Sequence, residues 1–388
     1  MGQVFLEPMM MELSNTRASV GSIFSILPAV TLGVGPIASV FINIVGCRKV
    51  TIAGACIASF GFFLSVWWTN IWFYYATIGV IGGIGLGLMY LAALASVKLY
   101  FKHKRGLAMG IAVCGSGVGT FVFSYVMNEI VNIRSWINYP TALLVEAGII
   151  LVGILCGATM MYRSNEPSEQ RKQLTNHLNE PLIPVDNGTD GTAQPTSLDA
   201  SIEKPPAKSF LRQVIDEIDT TLLTDVGFVL FAISNFLSSL GFNVVYNFAD
   251  DLANDAKVIK DQRTYIVMSI GLSNIFGRVI IGILGDRKWV NRIYLFILTM
   301  IISGVATMAA PLCDSSVIQH IGYASFFGFF SGGSVALTPL VISDIVGEKK
   351  STNAIGLSAL SMGVAVAIGT PVVGEYLVIN FKYIFSFL

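Results

Sequence analysis

The chain has 388 residues, of which 54% are hydrophobic and only 12% charged, about half the charged share of a soluble domain. Lys plus Arg equals Asp plus Glu at 24 each, so no net charge is left to neutralise a nucleic-acid backbone. These numbers exclude a water-soluble enzyme and a nucleic-acid partner. Five scattered cysteines and three histidines, with no CxxC or HExxH spacing, exclude structural zinc, other metal cofactors and thiol chemistry.

Residues 1–19 have neither the charged start nor the cleavage site of a signal peptide. A bilayer core of about 30 Å takes about 20 apolar residues per helix. Apolar windows are expected at 20–45, 50–69, 72–97, 107–129, 139–161, 223–247, 265–285, 293–313, 316–343 and 352–377. The chain therefore reads as an all-α polytopic membrane protein with ten complete transmembrane helices. Residues 1–162 form an N-terminal bundle of five helices, 163–220 a linker, and 221–388 a C-terminal bundle of five helices. The stretch 382–388 reads as the start of a further helix, clipped and too short to cross.

Most Lys and Arg residues fall in one alternate set of loops, including the long central one, which places that set in the cytoplasm. Both chain ends then lie outside, an awkward start without a signal peptide, so a preceding helix is expected to be missing. The central segment is rich in Asn, Glu, Pro, Ser and Asp and too poor in apolar residues to fold, so it reads as a flexible linker. Its Asn187-Gly188-Thr189 acceptor pattern is a chance match on the cytoplasmic side, and Phe210 to Ile218 reads as an amphipathic surface stretch.

The two helical groups look like parallel halves related by an axis along the membrane normal. Gly35-Pro36 through Arg48 and Lys49 in one half has a counterpart in Gly277-Arg278 through Asp286 and Arg287 in the other. Both place cations at a tight turn. One reading is a charge latch in which Asp286 pairs with Arg287 or with a cation of the other bundle; the other is ordinary positive-inside topology. Glycines recur inside spans, at Gly82, Gly83, Gly85 and Gly87 and again at Gly106, Gly110, Gly115, Gly117 and Gly119. This spacing lets helices approach closely. Without a strand before them or a βαβ unit around them, the same glycines do not make a nucleotide loop.

The segment Tyr100-Phe101-Lys102-His103-Lys104-Arg105-Gly106-Leu107-Ala108-Met109-Gly110 resembles the YFxKRRxLAxG signature of the monocarboxylate transporter family of the major facilitator superfamily. Gly82-Gly83-Ile84-Gly85, Asp344-Ile345-Val346-Gly347, Asn353 to Leu357 and Gly369-Thr370-Pro371 agree with it, while Ala92 stands where a proline is common. The resemblance implies a major facilitator fold of two pseudo-symmetric bundles, with Arg48, Arg105, Asp286, Arg287 and Asp344 as signature or cytoplasmic gate residues. It also implies a plasma-membrane location, and admits a single-span ancillary subunit beside the lipid bilayer as a partner.

Arg278 is the charge most out of place, since an ionised Arg within a span costs about 2.5–3.5 kcal/mol on insertion scales. Asn274, one turn earlier, shares its helix face. In the proton-linked members that the family resemblance brings to mind, the matching pair looks like Asp and Arg. Asn274 has no proton to give, so this chain resembles non-lactate or orphan branches. Glu146 is a candidate coupling group or counter-ion for Arg278, with a lipid-shielded packing role as the alternative. Tyr90, Asn235, Asn243, Tyr246 and Asn247 are placed to hydrogen-bond either a solute or a neighbouring helix. Trp67 to Tyr75 reads as an interfacial aromatic belt.

Two functions fit. The first is a secondary active or facilitative transporter of a small organic solute, a monocarboxylate or amino-acid-like metabolite, binding at Arg278, Asn274, Tyr246 and Tyr90. The second is a receptor or interaction subunit that keeps the fold without transport.

Overall fold

The computed structural model describes residues 9, 17–101, 103–132, 139–160 and 220–384. Its helices are α1 (Arg17–Gly33), α2 (Gly35–Val45), α3 (Cys47–Leu64), α4 (Ile71–Tyr100), α5 (Arg105–Asn132), α6 (Tyr139–Thr159), α7 (Val226–Asp255), α8 (Lys260–Gly285), α9 (Arg292–Ala309), α10 (Val317–Val346) and α11 (Ser351–Ile384). No strand occurs among the described residues.

Local chemistry sets the helix ends. The Asn70 side chain accepts from the Trp72 amide, Asp225 from Gly227 and Phe228, and Asn291 from Ile293. Each carboxyl or amide oxygen occupies a backbone donor that the first helical turn leaves unpaired. The tight turns from α2 to α3 and from α10 to α11 pass through Gly46 at φ 92° and Gly347 at φ 79°. Only glycine takes that conformation without strain.

Among the described residues, seven helices are long and apolar enough to cross a membrane, and eight if α1 and α2 form one span. In α6 and α7 the stretches Leu143–Thr159 and Val226–Phe242 are apolar, and the described residues of these two helices do not decide whether all ten expected spans are complete. The window 20–45 is not one straight helix either. It bends by 42° between α1 and α2, where Pro36 at the start of α2 has no N–H to continue the ladder. At the other end, Lys382 to Ile384 belong to α11 and do not open a new helix. Residues 372–384 contain Gly374 but no proline, and one glycine does not stop a membrane helix. The linker 163–219, with Asn187 and Phe210 to Ile218, lies outside the described residues.

α8 packs between α5 and α10, α11 lies against α7, α1 and α2, and α3 lies against α4 and α6. The contacts α5–α8 and α1/α2–α11 therefore join the first group of helices to the second. One apolar cluster runs through both groups, with Ala38, Leu88, Leu91 and Met109 from the first and Ile281, Leu337, Leu340 and Ile355 from the second. Outward-facing residues of α9, Ile301, Val305 and Met308, are exposed apolar surface of the kind a lipid face requires.

Glycines decide how close these helices come. A Cβ on Gly277 would collide with the Phe329 backbone carbonyl of α10. Gly277→Ala is therefore expected to force α8 and α10 apart at a cost of about 1–3 kcal/mol. Thermal unfolding of the purified protein in detergent measures it, with a lowered midpoint expected and an unchanged one contradicting the packing.

Candidate functional site

Gly110 and Gly117 on α5 leave room for the α8 backbone, at the Arg278 carbonyl and at Gly271 and Ile275 respectively. That approach brings the Arg278 guanidinium, 7% exposed, onto the Val113 carbonyl of α5, to which Nη1 donates. The bond crosses from the second helix group to the first. A guanidinium has five N–H donors, and the Val113 carbonyl engages one of its nitrogens. One turn earlier, Asn274, 3% exposed, donates from Nδ2 to the Gly328 carbonyl of α10 at 3.1 Å. Gly332 of α10 makes the space for it.

Arg278 and Asn274 open onto a cavity of about 170 Å³ lined also by Ser116 and Thr120 of α5, Phe242 of α7, Gly271 of α8, and Ser331 and Val335 of α10. The cavity thus joins a fixed cation, a neutral amide, three hydroxyls and an apolar wall. Such a site can hold a small anion by charge-assisted hydrogen bonds and has no nucleophile with a base to transform it. Among the described residues no cluster of His, Cys, Asp or Glu is placed to hold a metal ion.

Tyr90 of α4 is 37% exposed and is not among the residues that line this cavity. Tyr246 lies in α7, with a side chain outside the described residues, as are those of Asn243 and Asn247. Asn235 is buried and donates to the Phe231 carbonyl of its own helix at 3.1 Å. Glu146 is buried in α6, which packs on α3, and it does not line the cavity. The structure does not bring it to Arg278 as a counter-ion.

A second constellation sits at the end of the molecule where the basic turns gather. Asp286, at the end of α8, accepts from the Gly106 and Leu107 amides of α5 at 2.7 and 2.9 Å. A carboxylate there meets the positive end of the α5 dipole as well as two unpaired amides. Arg292 lies 3.8 Å from Asp286 and grips Asp344 through 3.0 and 3.2 Å contacts. The expected pairing of Asp286 with Arg287 or with a cation of the other group is replaced by these partners. Arg287 and Arg48 are exposed and enter none of the described ion pairs. Arg105 pairs with Glu348 at 2.5 Å, Lys98 donates to the Glu348 carbonyl at 3.1 Å, and Asn43 donates to Asn353 at 2.8 Å. All of these except the Arg292 contacts cross between the two groups of helices.

The sequence alone does not mark Ser116, Thr120, Phe242, Ser331, Lys98, Arg292 or Glu348 as site residues. A signal existed for two of them, since Ser116 and Thr120 share a helix face within the glycine run of α5.

A helical membrane protein with a polar cavity between its two helix groups has the build of a solute carrier. The sequence model of the Major Facilitator Superfamily matches residues 2–218 and 231–388. Monocarboxylate transporter 4 of Gallus gallus is 30% identical over 390 residues, covering 99% of this chain and 74% of that protein. Monocarboxylate transporter 12-B of Danio rerio is 28% identical over 378 residues, covering 96% of this chain and 76% of that protein. The chain belongs to the monocarboxylate transporter family of the major facilitator superfamily. Solved structures agree on the fold. The proton:xylose symporter XylE superposes with a TM-score of 0.62 at 17% identity, covering 98% of this chain and 84% of its own. The human organic anion transporter MFSD10 gives 0.61 at 12% identity, over 97% and 84%. The chain is thus an integral, multi-pass membrane protein whose general role is the movement of a solute across the membrane.

Proposed function

We propose that this protein carries a small organic anion, a monocarboxylate or an amino-acid-like acid, across the plasma membrane by alternating access. The single observation that carries the reading is the buried Arg278 facing a small polar cavity beside Asn274. Eight residues of α8, about 12 Å of rise, separate it from Asp286 at the basic end, which is too far for the side chain to escape to the interface. A carboxylate entering the cavity exchanges water for the guanidinium fork. The relatives named for monocarboxylates support that class of solute.

In this reading the basic end, with the central loop, is cytoplasmic. Residues 1–162 and 221–388 rock as two bundles about the cavity. The contacts of Asp286, Arg105, Lys98 and Asn43 across the groups then describe a carrier closed on the cytoplasmic side. In this reading a single-span ancillary subunit would be a partner within the lipid bilayer.

Purified protein in vesicles tests the reading through saturable uptake of labelled monocarboxylates. Binding without flux would instead identify a receptor that kept the fold. Coupling is tested in the same vesicles. Because Asn274 offers no proton site, uptake is expected to respond weakly to an imposed proton gradient. Asn274→Asp introduces a carboxyl beside the solute, so uptake should become faster on the side where that carboxyl is protonated and fall as pH rises. A strong proton dependence of the unaltered protein would contradict the assignment.

A further inference from the structure

We propose that the turn between α8 and α9 binds the headgroup of an anionic glycerophospholipid through Arg287 and Lys288, with Trp289 and Tyr294 at the membrane interface and the acyl chain along the outward face of α9. The solute cavity takes no part in this site, so the inference stands apart from the transport reading.

Tyr294, Leu298, Ile301, Val305 and Met308 recur at three- and four-residue spacing, which places them on one face of α9, and all five are exposed. Phe296, Thr299 and Ser303 form its buried side. Among the seven spans of the described residues the α9 window is the least buried, at 22%, so this face meets lipid. From Tyr294 to Met308 it rises about 21 Å, most of a bilayer core of about 30 Å. Tyr294 therefore stands at the edge of the apolar band. Trp289, 80% exposed in the turn before it, lies at the level of the headgroups, where an aromatic ring with a polar tip is most at home.

Arg287 and Lys288 are exposed in the same turn and enter none of the described ion pairs. The acids nearby are already engaged. Asp286 serves the Gly106 and Leu107 amides, and Asp344 is gripped by Arg292. The Asp286 contact also draws the start of α5 to this turn, with Lys104 exposed two residues before Gly106. Cations thus exceed acids where the aromatic rings mark the headgroup level, which is the complement of a lipid phosphate. Positive-inside topology accounts for the cations but not for a bared Trp among them. The other basic turns lack one part of this set. Arg48 and Lys49 have no aromatic residue in their turn, and the α4 window that ends at Tyr100 is 61% buried, which leaves an acyl chain less surface.

The test places the purified full-length chain in phosphatidylcholine vesicles, with bromine-labelled acyl chains carried at equal mole fraction by phosphatidylserine or by phosphatidylcholine. Bromine quenches a tryptophan it touches, and the difference between the unaltered protein and Trp289→Phe isolates Trp289 from the other four tryptophans. Each cation near an anionic headgroup contributes about fivefold in affinity. Phosphatidylserine should therefore be favoured at Trp289 by between about fivefold and about thirtyfold. The preference should shrink towards one in Arg287→Gln/Lys288→Gln, and in salt of about 1 M, where the screening length is about 3 Å. It should persist in Arg48→Gln/Lys49→Gln. Equal quenching by the two lipids in the unaltered protein would overturn the inference, and that comparison needs no variant to fold. An equal loss in both double variants would show a diffuse surface field and would overturn the site as well. Protection of Trp289 from quenching by soluble glycerol phosphate would assign the cations to a free phosphate and not to a lipid.

Discussion

Arg278→Gln is expected to lower uptake of a carboxylate solute about a hundredfold or more, with the protein still reaching the membrane. Two charge-assisted hydrogen bonds at about 1.5–3 kcal/mol each account for that size, since every 1.4 kcal/mol is tenfold. Gln retains a donor for the Val113 carbonyl, so the link from α8 to α5 has a substitute. Arg278→Lys keeps the charge but loses the planar fork, and should fall between the two. If Arg278 only braced α8 against α5, both substitutions would reduce protein abundance and leave the affinity per molecule unchanged. Uptake normalised to surface protein, with its concentration dependence, separates these outcomes.

Asp286→Ala is expected to loosen the basic end. The carboxylate serves two backbone amides of α5 from the end of α8, so its loss strips a cap and a bond between the helix groups at once. A cap is worth about 0.5–2 kcal/mol, and 2 kcal/mol shifts a two-state equilibrium about thirtyfold. In the carrier proposed above the contact belongs to the closed state of this end, so the whole shift favours the open state. Hydrogen exchange over residues 105–112 should accelerate by about that factor, with maximal uptake reduced. Asp286→Asn, which keeps one acceptor oxygen, should give a smaller change. Unaltered protection of the α5 start in the Ala variant would show that the Arg105–Glu348 pair and the Lys98 contact hold the end closed without it.

Much of this fold is legible in the sequence because membrane helices announce themselves through long apolar windows, and because a bilayer leaves backbone polar groups no alternative to helix. Arg278 and Asn274 are legible for the complementary reason: a charge within such a window is costly and demands a purpose. The hydroxyls are not. Ser116, Thr120 and Ser331 look like any small polar residue that bonds its own backbone, and only the approach of α5, α8 and α10 gathers them. Glu348 hides among the lysines of a basic turn, and its grip by Lys98 and Arg105 depends on residues some 250 positions away in sequence. Glu146 misleads in the opposite direction. An acid within a span invites pairing with Arg278, but the direction of its helix face is set by packing on α3, which no periodicity argument reveals. The bend between α1 and α2 at Pro36 is hidden by the unbroken apolar window 20–45, and the continuity of α11 past residue 377 follows from the absence of a helix breaker that loop polarity alone does not show.

The central claim, a carrier that exposes Arg278 to one side at a time, is tested most directly by counterflow. Vesicles containing the protein are loaded with an unlabelled small monocarboxylate and diluted into a trace of the labelled acid, with its uncharged amide run in parallel. The acid should overshoot its equilibrium level and then decay, the amide should not, and Arg278→Gln should remove the overshoot. No overshoot with any acid of a size the cavity admits, or an equal one with the amide, would contradict the account.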